Sequence, residues 1–241
     1  MSYPERIVPA TTSPGILALH LKRYEFARRW CESATVLDAG CGVGYGSAYL
    51  ADTANQVVGV DKSAEALAYA LSKYARPGVR FVEGDLLALP FPDSSFDVVC
   101  AFEAIEHLDD QRTFLVEVAR VLRPEGTLLV STPRVDETNR EPRNPFHRVE
   151  LSPPDFEALL EERFAEVELY GQRRLQTRRH RLAQRIDVLG LRRRLPVLRR
   201  ISRALGTPPT VDVELDEIAI TRDRLDDASE LVAVCRLLRP E

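Results

Sequence analysis

No stretch of this sequence approaches the roughly 18 consecutive apolar residues that span a bilayer, so no transmembrane helix is expected. The first residues, MSYPERIVPATTSPG, lack a basic segment followed by an apolar one, which argues against a secretory signal. Cysteine is scarce and scattered. Cys31, Cys41, Cys100 and Cys235 form no C-x-x-C pair, so neither a zinc knuckle nor a disulfide framework is indicated. A global basic excess is absent too: the formal net charge is −4, which gives no advertisement of nucleic acid. No internal repeat is apparent. What remains is 241 residues, 44% hydrophobic and 29% charged, the balance of an ordinary globular chain with a sizeable core. A reduced, cytoplasmic, soluble protein of one domain is the expectation.

Short β-branched runs alternate with helical patterns through the first two-thirds. Strands are expected at Thr35–Gly40, Gln56–Asp61, Val79–Asp85, Phe96–Phe102 and Gly126–Pro133. Helices are expected at Gly44–Ala51, Ser63–Ala75 and Gln111–Leu122, the last with Phe114, Val118, Val121 and Leu122 on one face. Near-continuous apolar strands separated by helices indicate a parallel sheet covered on both sides, a doubly wound α/β fold. A further helix is expected from a cap at Ser152 to about Phe164, with prolines and Asp155 in its first turn. Two late strands follow, Ala165–Gly171 and Glu230–Leu238.

Between the late strands the charge separates. From Gln172 to Leu205 there are twelve arginines, no lysine and one acid; from Thr207 to Glu230 there are eight acids and two arginines. Apolar residues recur at helical spacing in the arginine-rich part (Leu182, Ile186 and Leu189, then Leu198, Ile201 and Leu205), which reads as a basic amphipathic helix pair. Three readings stay open for it: a solvated face paired with the acidic stretch, a site for an anionic acceptor, or peripheral contact with an anionic membrane surface. At a sheet edge it would serve as a lid or as the contact of a homodimer.

The first strand runs into Asp38-Ala39-Gly40-Cys41-Gly42-Val43-Gly44-Tyr45-Gly46, a glycine turn at the start of a helix where a ligand approaches the main chain. Asp61 ends the second strand, 21 residues after Gly40, the spacing at which a carboxylate accepts ribose hydroxyls. Asp85 ends the third strand. Tyr45 stands where a nicotinamide dinucleotide motif has its third glycine, which favours an adenosine-containing ligand without a pyrophosphate over a dinucleotide. A loop that binds nothing is the remaining alternative.

LDAGCGVG, VGVD, FVEGDLLALPF, FDVVCAFEAIEHL and VLRPEGTLLVSTP together resemble the successive motifs of class I S-adenosylmethionine-dependent methyltransferases, over Thr35 to Pro133. The resemblance implies a Rossmann-like, seven-stranded sheet whose last strand is antiparallel. It implies a cofactor core at 35–133 behind an N-terminal cap at 1–34. An acceptor loop, helix and strand follow at 134–171, the charged insert at 172–229, and the last strand and tail at 230–241. It also implies that Gly40 and Gly42 line the methionine end of S-adenosylmethionine and that Asp38 supports the loop. Asp61 would hold the ribose, Asp85 the adenine amino group, and Leu86 and Phe102 would flank the ligand. Arg23 would lie over the cofactor carboxylate.

After the fourth strand, Glu103, Glu106 and His107 would share one face of a helix. Two carboxylates and an imidazole suit Mg²⁺ or Mn²⁺, and His147 in the loop Asn144-Pro145-Phe146-His147 offers a fourth ligand. The set is similar to the metal ligands of small-RNA 2′-O-methyltransferases, and its first three members to a cluster in ubiquinone-pathway O-methyltransferases. Three readings stay open: a metal site, a metal-free acid/base role for His107, His147 or Glu106, and structural roles alone. NPFHRVEL resembles methyltransferases of glycan and secondary-metabolite pathways, so the expected reaction is O-methylation of a small-molecule, glycan or glycolipid acceptor. A quinone precursor or RNA is the alternative acceptor, although no RNA-binding extension is recognisable and the tetrapeptide of amino-directed DNA enzymes is missing. A non-catalytic adenosine-binding module serving a partner is the rival from another class.

Overall fold

The computed structural model describes residues 6–175 and 213–238. Helix α1 (Pro14–Cys31) precedes β1 (Thr35–Ala39), α2 (Tyr45–Leu50), β2 (Gln56–Asp61), α3 (Ala64–Tyr74), β3 (Val79–Glu83) and β4 (Phe96–Phe102). Then come α4 (Gln111–Val121), β5 (Leu122–Pro133), α5 (Pro153–Glu161), β6 (Phe164–Arg174), β7 (Ile218–Thr221) and β8 (Glu230–Leu238). The strands form one sheet in the order β3-β2-β1-β4-β5-β8-β6-β7. The first five are parallel, and β8 runs antiparallel to both β5 and β6.

Alternation along the buried strands explains why both faces are covered. Leu37, Val99 and Ala101 join one apolar cluster, with Phe114 and Val118 of α4 and Phe156 and Leu160 of α5. Val36, Val98 and Cys100 point the other way, onto Tyr24 and Ala27 of α1 and Leu50 of α2. The core strands therefore carry apolar side chains on both faces rather than on one.

The expected sheet of seven strands is corrected to eight. The additional strand, β7, lies within the stretch expected to be an acidic insert and pairs antiparallel with β6 from Gly171↔Thr221 to Arg174↔Ile218. That pairing also carries β6 three residues past its expected end. The arginine-rich helix pair expected within 176–212 lies outside the described residues. Helix α5 stops at Glu161, earlier than the expected Phe164, which instead begins β6. The four cysteines are free and buried. Among the described residues no helix is long and apolar enough to cross a membrane.

Candidate active site

The glycine turn is built on a buried carboxylate. Asp38, 1% exposed at the end of β1, accepts a hydrogen bond from Ser47 Oγ at 2.6 Å and one from Tyr24 OH at 3.2 Å. Burial pushes its pKa up to about 6, against the lowering effect of those two donors. Asp38 thus fastens α1 and α2 beneath the turn and does not line the cavity above it. Gly40 and Cys41 donate their amides to the Val60 carbonyl at 2.8 and 3.0 Å, which holds the turn against β2. Gly40, Gly42 and Gly44 all have positive φ. At Gly44 a Cβ would press within 2.7 Å of Phe81 and Ala70, whereas at Gly42 it would meet no protein atom within 4 Å. The main chain at Gly42 therefore faces open space.

That space is a cavity of about 860 Å³, large enough for a nucleoside cofactor together with part of an acceptor. Gly40, Gly42, Asp61, Asp85, Leu86 and Phe102 all line it. Asp61 Oδ2 accepts the Gly42 amide and Oδ1 the Ser63 amide, each at 2.9 Å, so its outer lone pairs are aimed by the turn itself. Arg6 stands 4.0 Å from Asp61 Oδ1. Asp85 is oriented by the Leu87 amide, at 2.9 Å. Open space at Gly42 and two oriented carboxylates at successive strand ends fit an adenosine-bearing ligand.

On the far side of the cavity the expected four-residue set divides. Glu103 has φ +52°, so the chain leaves β4 in a left-handed residue and no helix face carries it beside Glu106. Its carboxylate instead accepts from Ser131 Oγ at 2.7 Å. The turn that follows, Ile105–His107, is a single 3₁₀ turn. Glu106, His107 and His147 do converge, with donor atoms all within 4.8 Å of one another. The two imidazoles meet edge to face at 4.9 Å. His107 Nδ1 lies 3.0 Å from the Phe146 carbonyl, which can only accept, so Nδ1 is the donor there and, in the neutral ring, Nε2 holds the lone pair. His147 Nδ1 lies 2.7 Å from Glu150 Oε1, orienting that ring in the same way. Glu106 is 2% exposed, and its Oε2 is buried without a hydrogen-bond partner. Burial, reinforced by Glu103, raises its pKa well above the carboxylate range.

Arg23 does not reach the cavity, contrary to the sequence expectation. It is 1% exposed, with Nη1 donating to Gln172 Oε1 at 3.3 Å and Nη2 2.9 Å from His20 Nδ1. Burial alone would lower its pKa, but the carboxylates of Glu103 and Glu230 raise it, so it stays charged. The cavity wall at this point is His20, with Tyr24 and Tyr45. Sequence reading passed over His20. The available signal was its spacing of three and four residues before Arg23 and Tyr24 on one helix.

Residues 37–130 match the model of a methyltransferase domain. A Mycolicibacterium smegmatis protein named "Probable S-adenosylmethionine-dependent methyltransferase" is 40% identical over 168 residues, 68% of this chain and 65% of that protein. The chain thus spans about two-thirds of that relative's length. A fatty-acid O-methyltransferase of the same organism is 39% identical over 105 residues, 43% of this chain and 38% of that one. Among solved structures, a Thermotoga maritima S-adenosylmethionine-dependent methyltransferase shares the fold, with a TM-score of 0.62 over 92% of both chains at 15% identity. Motif order, sheet topology and these likenesses agree: the chain belongs to the class I S-adenosylmethionine-dependent methyltransferases, whose cofactor is S-adenosylmethionine.

Proposed function

We propose that the chain transfers the methyl group of S-adenosylmethionine to an oxygen nucleophile of a small molecule, glycan or glycolipid. The observation that carries the oxygen acceptor is the convergence of Glu106, His107 and His147 on the wall of a cofactor-sized cavity. Methyl transfer is an in-line displacement, with the acceptor about 3 Å from the methyl carbon and opposite the sulfur. A hydroxyl is a poor nucleophile at neutral pH and must lose its proton as the bond forms. His107 Nε2, the lone-pair nitrogen of the neutral ring whose Nδ1–H faces the Phe146 carbonyl, is the base placed to take it. The O-methyltransferase name of one partial relative supports an oxygen acceptor.

The same three side chains suit a divalent cation. Histidines that bind metal commonly engage a carbonyl or carboxylate through their other nitrogen, as His107 and His147 do here. The Glu106 oxygen without a partner is a buried acceptor that a cation would satisfy. Mg²⁺ or Mn²⁺ would be held by Glu106, His107 and His147, without Glu103, and would act as a Lewis acid that eases loss of the hydroxyl proton. The twelve arginines between Gln172 and Leu205 support, by charge alone, an anionic or phosphate-bearing acceptor or an anionic membrane surface.

The test is incorporation of labelled methyl into a panel of phenols, sugars and hydroxylated lipids, before and after exhaustive chelation. His107→Ala should lower kcat by about 10²–10⁴-fold while leaving S-adenosylmethionine affinity within about twofold. Activity lost to chelator and restored by Mn²⁺ assigns the metal; full activity after chelation leaves His107 as a direct base. Cofactor binding without transfer to any oxygen acceptor would refute the enzyme reading in favour of a binding module.

A further inference from the structure

The cavity crosses the strand ends in sheet order. Asp85 follows β3, Asp61 ends β2, the glycine turn follows β1, and Phe102 and Glu103 lie at the end of β4. A ligand whose adenosine sits at Asp61 and Asp85 therefore extends its other end toward β4. That end of S-adenosylmethionine is an amino acid, an ammonium and a carboxylate. Acids are plentiful along this wall, with Glu103 and Glu106 both facing the cavity, so an ammonium finds acceptors easily. A carboxylate there needs a donor.

His20, which lines the cavity, offers one. The Arg23 guanidinium has only N–H groups to offer, so His20 Nδ1, 2.9 Å from Nη2, must accept. The proton of the neutral ring is then on Nε2, the ring nitrogen turned away from buried Arg23. Among the described residues no hydrogen bond occupies it. Burial and the adjacent Arg23 charge lower the pKa of His20 to about 3, so the ring stays neutral and the tautomer does not change at physiological pH. The arginine behind the ring polarises it, much as a helix terminus keeps a catalytic histidine neutral yet strongly donating. Arg23 is itself fixed through Gln172 of β6, and Gln172 Nε2 in turn donates to the Leu19 carbonyl at 3.1 Å.

We propose that His20 is a cofactor-positioning residue whose Nε2–H, in a tautomer fixed by the buried Arg23 behind it, donates to the carboxylate of S-adenosylmethionine. Arg23, read from sequence as the carboxylate's own partner, acts through His20. The assignment rests on the methyl-donor reading above, and it deepens that reading by naming what holds the amino-acid end.

Decarboxylated S-adenosylmethionine keeps the sulfonium and the ammonium and lacks only the carboxylate, so it isolates the contact. Calorimetric titration of both ligands into wild type, His20→Ala and His20→Gln reads the coupling directly. His20→Ala should weaken S-adenosylmethionine about tenfold or more, as expected for a hydrogen bond to a charged group. Affinity for the decarboxylated ligand should stay within about twofold. His20→Gln offers an amide oxygen to Arg23 and an N–H to the cavity, and should recover most of the lost affinity. Equal losses for both ligands would reduce His20 to a packing role and overturn the assignment, as would unchanged affinity for S-adenosylmethionine. Should His20→Ala fail to fold, the same comparison in His20→Gln and His20→Phe decides, with loss of discrimination expected only in the phenylalanine variant. A wild-type chain that bound neither ligand would instead bring down the cofactor reading itself.

Discussion

Asp38 is a carboxylate that water does not reach, and its cost to folding is set by pH. Burial raises its pKa from 3.8 in the unfolded chain to about 6 in the folded one. Between those values the native state keeps a proton that the unfolded chain has released, so stability falls as pH rises through this window. The full penalty, about 3 kcal/mol, is present above pH 6 and absent below pH 4. Asp38→Asn keeps an acceptor for Tyr24 OH and removes the charge. Its urea midpoint should exceed wild type at pH 7.5, with the difference vanishing near pH 4; parallel pH profiles for the two proteins would refute the buried-charge account. At this scale sequence reading found acids and glycines more readily than their conformations. Gly40, Gly42, Asp61 and Asp85, whose types and spacing are themselves the signal, do line one cavity. The place of Glu103 was not legible, since it depends on one left-handed φ that sequence spacing does not carry. Arg23 was expected over the cofactor and is instead buried, because a helix position says nothing about which of two nearby polar side chains reaches the cavity.

The elements were most legible where periodicity and chemistry agreed. Helix α4 was expected to end at Leu122 and does end within one residue, with Phe114, Val118 and Val121 buried along one stripe. Its start is set by Asp110, whose Oδ1 accepts the Thr113 amide at 3.0 Å and whose Oδ2 accepts the Thr113 hydroxyl at 2.6 Å. The cap is exposed and Asp110 does not line the cavity, so Asp110→Ala should cost about 1 kcal/mol of unfolding free energy and leave cofactor affinity unchanged. A denaturant titration beside a cofactor titration checks both halves. Strand β7 went unread because four residues, Ile218 to Thr221, lie among acids whose charge dominated the composition. Its short apolar run becomes meaningful only once β6 supplies a partner, and Gln172, Arg173 and Arg174 did not advertise β6 as continuing. Strand β5 likewise starts at Leu122 rather than Gly126. Leu122 pairs with Phe96 beside a register shift, so the sheet takes in the residues between the expected helix end at Leu122 and the expected strand start at Gly126.

At the scale of the whole molecule, the ligand site belongs to the sheet rather than to any one loop. Asp61 ties the Gly42 amide to the end of β2, Asp38 ties α1 to α2, and Arg23 joins α1 to β6 through Gln172. A cofactor bound across those strand ends would stabilise elements from β3 to β4 together, and linkage gives the size of the effect. Ligand at about 100 times its dissociation constant adds about 2.7 kcal/mol, which for a chain of this size raises Tm by about 5–10 °C. S-adenosylhomocysteine should produce that shift in a thermal melt. NADH at the same concentration should not, because Tyr45 occupies the start of α2 and packs edge to face on Tyr24 at 5.8 Å where a pyrophosphate would need bare main chain. Mn²⁺ alone supplies an independent arm: a shift that His147→Ala removes, without altering the S-adenosylhomocysteine shift, would mark the Glu106–His107–His147 cluster as a separate cation site. An S-adenosylhomocysteine shift no larger than that given by NADH would contradict the ligand class read from Asp61, Asp85 and the open face of Gly42.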